Sequence, residues 1–346
     1  MKLARAAAVA LSALLLVAGC SAAQDSQNDT TEDQLAASEA PLARFATPMK
    51  NLKTTLEGPG TVEEIANTLL GSGRSSAFSL QAICRVYSKL DPQFKVMRDD
   101  FKGLEDGIGN YDKWNGIYER GVSDKKDAAT LARLKKQRDD ALASFVSLLT
   151  DKQWRTDGKT PTRMAQHEAF LKSFKWLSQK EDRKLVLEQL SDEMKDLKKT
   201  QYDMKILEVG DGVHELRRDM RWVLIEQLGM NGMIVLKDNA DGGDACPIPA
   251  YSALAAGDRY TQLRSTATEP NPCKVNLCLV AAAAKAVSDL DEVKTEAELQ
   301  VNVNGANDVV PVALQPKAQA LYDDLVKNDL FGQYKTQLDA CKDAQK

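Results

Sequence analysis

Between residues 61 and 229 the apolar side chains return at helical spacing, and good capping residues stand ahead of the runs. Thr61-Val62-Glu63-Glu64 has the form of a capping box, in which the Thr side chain and the Glu three positions on satisfy each other's backbone N–H. Residues 76–90 carry Phe78, Leu80, Ile83, Val86, Tyr87 and Leu90 on one helical pattern. Asp91-Pro92 caps a new helix with Pro at its first position. That helix passes Phe94, Met97, Phe101 and Leu104 and runs toward Gly107 and Gly109. Residues 110–120 form a further helical piece, Ser123 opens a long helix through Leu149, and Thr160-Pro161 opens another through Leu177. Ser178-Gln179-Lys180-Glu181 is a second capping box, and Asp211 caps a helix ending before Gly229. This patterning predicts a mainly α fold, an antiparallel helical bundle over residues 45–237.

After Gly229 the character changes. Residues 238–243 are polar and glycine-rich, and a loop with four prolines follows. Residues 276–290 read as an alanine-rich helix, residues 301–314 as the one strand-like segment, and residues 316–346 as two amphipathic helices. Residues 238–346 thus form a loop-rich cysteine segment with carboxy-terminal helices packed on the same body. The best domain boundary lies near residues 238–275.

The amino terminus constrains location instead of fold. Lys2 and Arg5 precede an apolar run from residue 6 to 17, and Ala18-Gly19-Cys20-Ser21 follows. The run is shorter than the roughly 20 apolar residues that span a bilayer. Leu16-Val17-Ala18-Gly19-Cys20 resembles the lipobox of bacterial lipoproteins. The resemblance implies a signal peptide over residues 1–19 and a lipidated Cys20 as the first mature residue, with several acyl chains as the anchor. Ser21, in place of Asp, implies sorting to the periplasmic face of the outer membrane. Residues 20–44 are polar at first and poor in aromatics, so they form a disordered tether. The other reading of the same residues is a plain secretory signal cleaved near Ala22 or Ala23.

The formal net charge is −4, and loss of Lys2 and Arg5 makes the body more negative by two. A net-acidic body argues against a general nucleic-acid binder. The apolar stretch at residues 279–287 is short and interrupted by Lys285, so no later segment reads as a membrane span. With Cys20 assigned to lipid, Cys84, Cys246, Cys273, Cys278 and Cys341 remain. An oxidising periplasm allows disulfides. Cys246 pairs with Cys273 or Cys278, Cys341 is available for a second bridge, and Cys84, on an apolar helix face, is the best candidate for a free thiol. The spacing of Cys273 and Cys278 is wider than the C-x2-C of common zinc motifs, and no histidine is near.

The two histidines are His167 and His214. No H-E-x-x-H, G-x-S-x-G or phosphate-cradling glycine loop is present, so the sequence offers no catalytic residue, metal ligand or cofactor. His167, between Gln166 and Glu168, reads as surface, and Asp99-Asp100 reads as solvated. His214, Arg217, Arg218 and Arg221 stand at i, i+3, i+4 and i+7, one face of a helix whose other side carries Leu216, Met220 and Val223. Three guanidiniums offer forked donors suited to phosphate oxygens, and the histidine adds charge below about pH 6.5.

Val213-His214-Glu215-Leu216-Arg217 with Arg221 resembles the signature helix of the CHAD domains, the conserved-histidine α-helical domains. Leu104-Glu105-Asp106-Gly107-Ile108-Gly109-Asn110-Tyr111-Asp112 is similar to a degraded form of another family segment. The resemblance covers about residues 62–300 and implies two related helical repeats around a basic channel. It also implies binding of polyphosphate or another anion without catalysis. Arg85 and Lys89 would serve the first repeat, where Phe78 and Gln81 replace the family's His and Arg, and Trp222 replaces a basic residue. Lys95, Arg98 and Lys102 form a second cationic stripe, interrupted by Asp99 and Asp106. The alternative is a structural or interaction lipoprotein, with Glu215 pairing Arg218 and the helical surface engaging an envelope protein.

Overall fold

The computed structural model describes residues 40–156, 162–208, 210–230, 232–237, 246–255, 272–304 and 309–344. Cys20, the signal segment and the tether up to residue 39 lie outside the described residues. The fold is mainly α, with one two-stranded sheet among the described residues. No helix of the described residues is long and apolar enough to cross a membrane. The chain divides into two compact units between Lys180 and Glu181, well before the loop at 238–275 where the sequence placed its best boundary.

The unit ending at Lys180 is built from α1 (Ala40–Leu56), α2 (Val62–Thr68), α3 (Arg74–Tyr87), α4 (Pro92–Ser123), α5 (Ala128–Asp151) and α6 (Arg163–Ser173), with a π-helical turn at Leu69–Gly73 joining α2 to α3. Helix α1 begins at Ala40, so residues 40–44 are helical and not part of the tether. The Thr61 capping box forms as read, with the Glu64 carboxylate accepting from the Thr61 N–H at 2.7 Å. Asp91 caps α4 through the Gln93 N–H at 2.7 Å, with Pro92 in the first turn.

Helix α4 is continuous from Pro92 to Ser123, where the sequence suggested two pieces. Of the two glycines expected to end it, a Cβ on Gly109 would lie 2.8 Å from Arg74 Nη2; a Cβ on Gly107 would lie 2.7 Å from the Phe145 ring, and one on Gly121, further along, would lie 2.9 Å from Leu134. Gly107 and Gly121 let α5 approach closely. Ser123 ends α4, and Asp127 caps α5 by accepting from Ala129 and Thr130 N–H, both at 3.0 Å. Thr162 caps α6, two residues beyond the Thr160 cap expected, and the helix ends at Ser173, short of Leu177. Helix α3 packs on α1 and α4 and is buried on nearly every side. Phe45, Tyr87, Phe94, Phe170, Phe174 and Trp176 form an aromatic cluster, with Phe94 4.9 Å from Phe174 edge-on. Arg155 fastens the turn after α1, donating to the Leu56, Gly58 and Gly60 carbonyls at 2.6 to 2.8 Å.

The second unit, from Glu181 on, holds most of α7 (Gln179–Lys199), then α8 (Val213–Gly229), β1 (Ile234–Lys237), β2 (Cys273–Asn276), α9 (Leu277–Asn304), α10 (Gln315–Lys327) and α11 (Leu330–Asp343). Strands β1 and β2 run parallel, with Ile234 opposite Cys273 and Lys237 opposite Asn276. The segment 301–314 is not the strand expected: residues 301–304 finish α9, and Val309 makes only an isolated antiparallel bridge to Ile206. The actual strands are four residues each, too short for alternation to stand out. Helix α9 packs on α8, α10 and α11, and α11 also packs on β2.

Two disulfides staple this unit. Cys246 joins Cys278 in the first turn of α9, and Cys273 of β2 joins Cys341 of α11. Of the two partners left open for Cys246, the structure takes Cys278. Cys84 is the free thiol, fully buried in α3, and burial pushes its pKa up.

Candidate functional site

The candidate stripe lies on α8, whose start differs from expectation in an informative way. Asp211 does not cap it. The cap residue is Gly212, and the turn before it folds over the helix end: Val213 N–H donates to the Ile206 carbonyl at 3.0 Å and His214 N–H to the Leu207 carbonyl at 3.0 Å. A Cβ on residue 212 would stand 2.4 Å from that Ile206 oxygen, so only glycine admits this closure. Backbone carbonyls therefore satisfy the first N–H groups of α8, which a side chain would otherwise cap. The same turn carries Glu208 to His214, Oε2 to Nδ1 at 3.6 Å.

Leu216, Met220 and Val223 are buried, as the helical pattern required. The cationic face is also covered in part, because α9 lies against α8, while the Arg218 side chain stays exposed. Arg217 is only 8% exposed, and its Nη2 reaches Asp291 Oδ1 at 2.7 Å. Lys294 of α9 lies 2.7 Å from Glu298 and 3.6 Å from Glu208. Arg218 pairs with Glu215, the local pairing weighed from the sequence, and lies 4.0 Å from Asp219. Arg221 is half-buried farther along the face. The stripe is thus one half of a mixed-charge seam between two helices, and its other half comes from Glu208, Asp291, Lys294 and Glu298.

His214 does not supply the acid-side charge expected of it. Burial, then the cations Lys294, Arg217, Arg218 and Arg221, push its pKa down to about 3. Glu208 does not reverse this at 3.6 Å. At neutral pH this shift favours the neutral imidazole. Glu215 moves the other way, raised chiefly by burial.

The remaining candidates belong to the other unit. Arg85 is half-buried on α3, and Lys89 is exposed beyond that helix's end. Lys95, Arg98 and Lys102 share a face of α4 as their spacing required, with Lys95 exposed. Arg98 donates from Nε and Nη2 to Asp99 Oδ1 at 3.0 and 2.7 Å, and Lys102 pairs with Asp106 at 2.5 Å. The acids that interrupt the stripe in sequence thus pair with two of its three cations in space.

His167 is a correction: it is buried, 1% exposed, not a surface residue. Its Nε2 lies 3.2 Å from Asp100 Oδ2, and Arg163 reaches the same oxygen at 3.6 Å. The Phe101 and Trp154 rings flank it with centroids at 5.2 and 6.2 Å. Asp100 is accordingly not the freely solvated acid it was read as. The signal was available, since His167 shares a helical face with Met164 and Leu171, both buried. Gln166 and Glu168 are its neighbours in sequence only, and Glu168 pairs instead with Lys53 at 2.9 Å.

Among the described residues no group of three or more His, Cys, Asp or Glu side chains is placed to hold a metal ion. The fold and seam define a mainly α, disulfide-stapled protein whose central charges compensate one another. Compared with known proteins, the chain matches no family model, no curated protein and no solved structure.

Proposed function

We propose that this chain is a lipid-anchored, non-enzymatic protein of the bacterial envelope, tethered through Cys20 at the periplasmic face of the outer membrane, whose helical body engages a protein partner. The observation that carries this reading is the compensation of the α8 stripe: Arg217 is taken by Asp291, Arg218 by Glu215, and His214 is held neutral. A helix spent this way on internal packing favours a structural or interaction role over the polyphosphate or other anion site that the CHAD-like pattern implies. An anion at this face would have to displace carboxylates already in contact with its ligands. The two disulfides support an oxidising compartment, in keeping with an exported protein.

The test pairs two measurements on the full chain. Metabolic labelling with a palmitate analogue should mark the wild type and not Cys20→Ala; equal labelling of both overturns the anchor. Titration of the body with polyphosphate should show the same weak response in wild type and in Arg217→Ala/Arg221→Ala. Saturable, strongly salt-dependent binding lost in that variant would restore the anion reading instead.

A further inference from the structure

The four cysteines of the second unit pair in a crossed order. Along the chain they run Cys246, Cys273, Cys278, Cys341, and the bridges join first to third and second to fourth. We propose that this protein is a substrate of a thiol–disulfide isomerase, which must convert a Cys246–Cys273 bridge into the native pair during maturation. The inference rests on the proposed export of the chain into an oxidising compartment, but not on the lipid at Cys20 or on what the body binds.

The argument rests on the corner between β2 and α9. Only Lys274, Val275, Asn276 and Leu277 separate Cys273 from Cys278. In the folded protein that corner sends the two sulfurs to different partners. Cys273 sits in β2, its N–H donating to the Met233 carbonyl at 2.8 Å, and turns to α11. Asn276 locks the corner: its N–H donates to Gln337 Oε1 at 2.7 Å and its Oδ1 accepts from the Cys278 N–H at 3.0 Å. Gln337 and Cys341 both belong to α11, so what distinguishes Cys273 from Cys278 is a helix at the far end of the chain.

Before α11 is in place Cys273 lacks its native partner Cys341, so both thiols compete for Cys246. The loop closed by Cys246–Cys273 is slightly shorter than the native one, and closure entropy changes only slowly with length. Cys273 also leaves the export machinery before Cys278, so a chain oxidised as it emerges meets the wrong partner first. The native Cys246–Cys278 bridge is buried at both sulfurs once formed, each residue under a tenth exposed, so its correction has to precede closure.

The correction is redox-neutral. The isomerase thiolate attacks the Cys246 sulfur, forming a mixed disulfide and releasing Cys273 as thiolate. The Cys278 thiolate then attacks Cys246, forms the native S–S bond and expels the isomerase thiolate unchanged. Cys273 and Cys341 are joined separately by a protein-disulfide oxidant, which takes two electrons, accepts two protons and leaves as a dithiol.

The test uses the full chain carrying Cys20→Ser, reduced and unfolded, then refolded with a protein-disulfide oxidant, with and without a disulfide isomerase. Free thiols are trapped by alkylation, and bridged peptides are mapped by mass spectrometry. The oxidant alone should accumulate the Cys246–Cys273 peptide, and the isomerase should raise the native pair several-fold. A native map in equal yield without the isomerase overturns the proposal. The Cys273→Ala/Cys341→Ala variant removes the competitor, and its Cys246–Cys278 bridge should form without help. Because the trapped map reads pairing in folded and unfolded chains alike, persistent isomerase dependence in that variant also overturns it.

Discussion

Arg217 of α8 and Asp291 of α9 form a largely buried ion pair, Nη2 to Oδ1 at 2.7 Å, at the centre of the seam between their helices. Removing one member leaves the other's charge stranded away from water. Asp291→Leu or Arg217→Met should each destabilise the protein by about 3–5 kcal/mol, whereas the double replacement should recover most of that loss. Chemical denaturation of the three variants measures it. Additive losses in the double variant would mean that the pair is not a unit.

His214 makes stability depend on pH. Its folded pKa is down at about 3, while the unfolded imidazole titrates near pH 6.5. Between these values the unfolded chain binds a proton that the folded one refuses, so stability falls as pH falls from about 6.5 toward 3. The thermal midpoint should drop over that window, and His214→Gln should flatten the profile there. Asp339 acts lower down. Burial raises it, but hydrogen bonds from Lys335, Ser191 and Lys342 outweigh that and hold it at about 2, so its contribution, full above its unfolded value, is lost as pH falls from about 4 toward 2.

Helix α4 offers a matched pair of glycine substitutions. At Gly107 a Cβ meets the Phe145 ring at 2.7 Å, so Gly107→Leu should cost about 1–3 kcal/mol by overpacking. At Gly103 nothing lies within 4 Å, and Gly103→Ala should stabilise by about 0.5–1 kcal/mol through helix propensity alone. Opposite signs in urea midpoints check the packing assignment.

The disulfide between β2 and α11 ties the carboxy-terminal helix to the sheet. Cys273→Ala/Cys341→Ala should lower stability by about 2–5 kcal/mol, since the bridge closes a long loop with a sequence separation of 68. Denaturant unfolding followed through Tyr334, fully buried on α11, reports it.

Much of the helical framework was legible because helix starts are local chemistry. Thr61 with Glu64 and Asp91 with Pro92 need only a few neighbouring residues to act, and both act as read. Helix ends were harder. Gly107 looks like a stop until Phe145, far along the chain, is seen to occupy the space its missing Cβ leaves. The seam was half-legible for the same reason. The α8 cations announce themselves by spacing, but their partners lie on α9, which the sequence appeared to end at Leu290, one residue before Asp291. Carried about two turns further, Asp291, Lys294 and Glu298 form an alternating i, i+3, i+7 pattern on that helix. His167 was misread because its sequence neighbours are polar, although its helical neighbours are not.

The placement of the sulfurs gives the two halves different relations to their surroundings. In the unit ending at Lys180 the one cysteine of the described residues is a thiol sealed inside α3, so that half folds to the same molecule in a reducing or an oxidising medium. The other half reaches its final covalent form only where electrons can be given up. In a reducing medium the chain would be half finished, with the four sulfurs of its second unit still waiting to be joined.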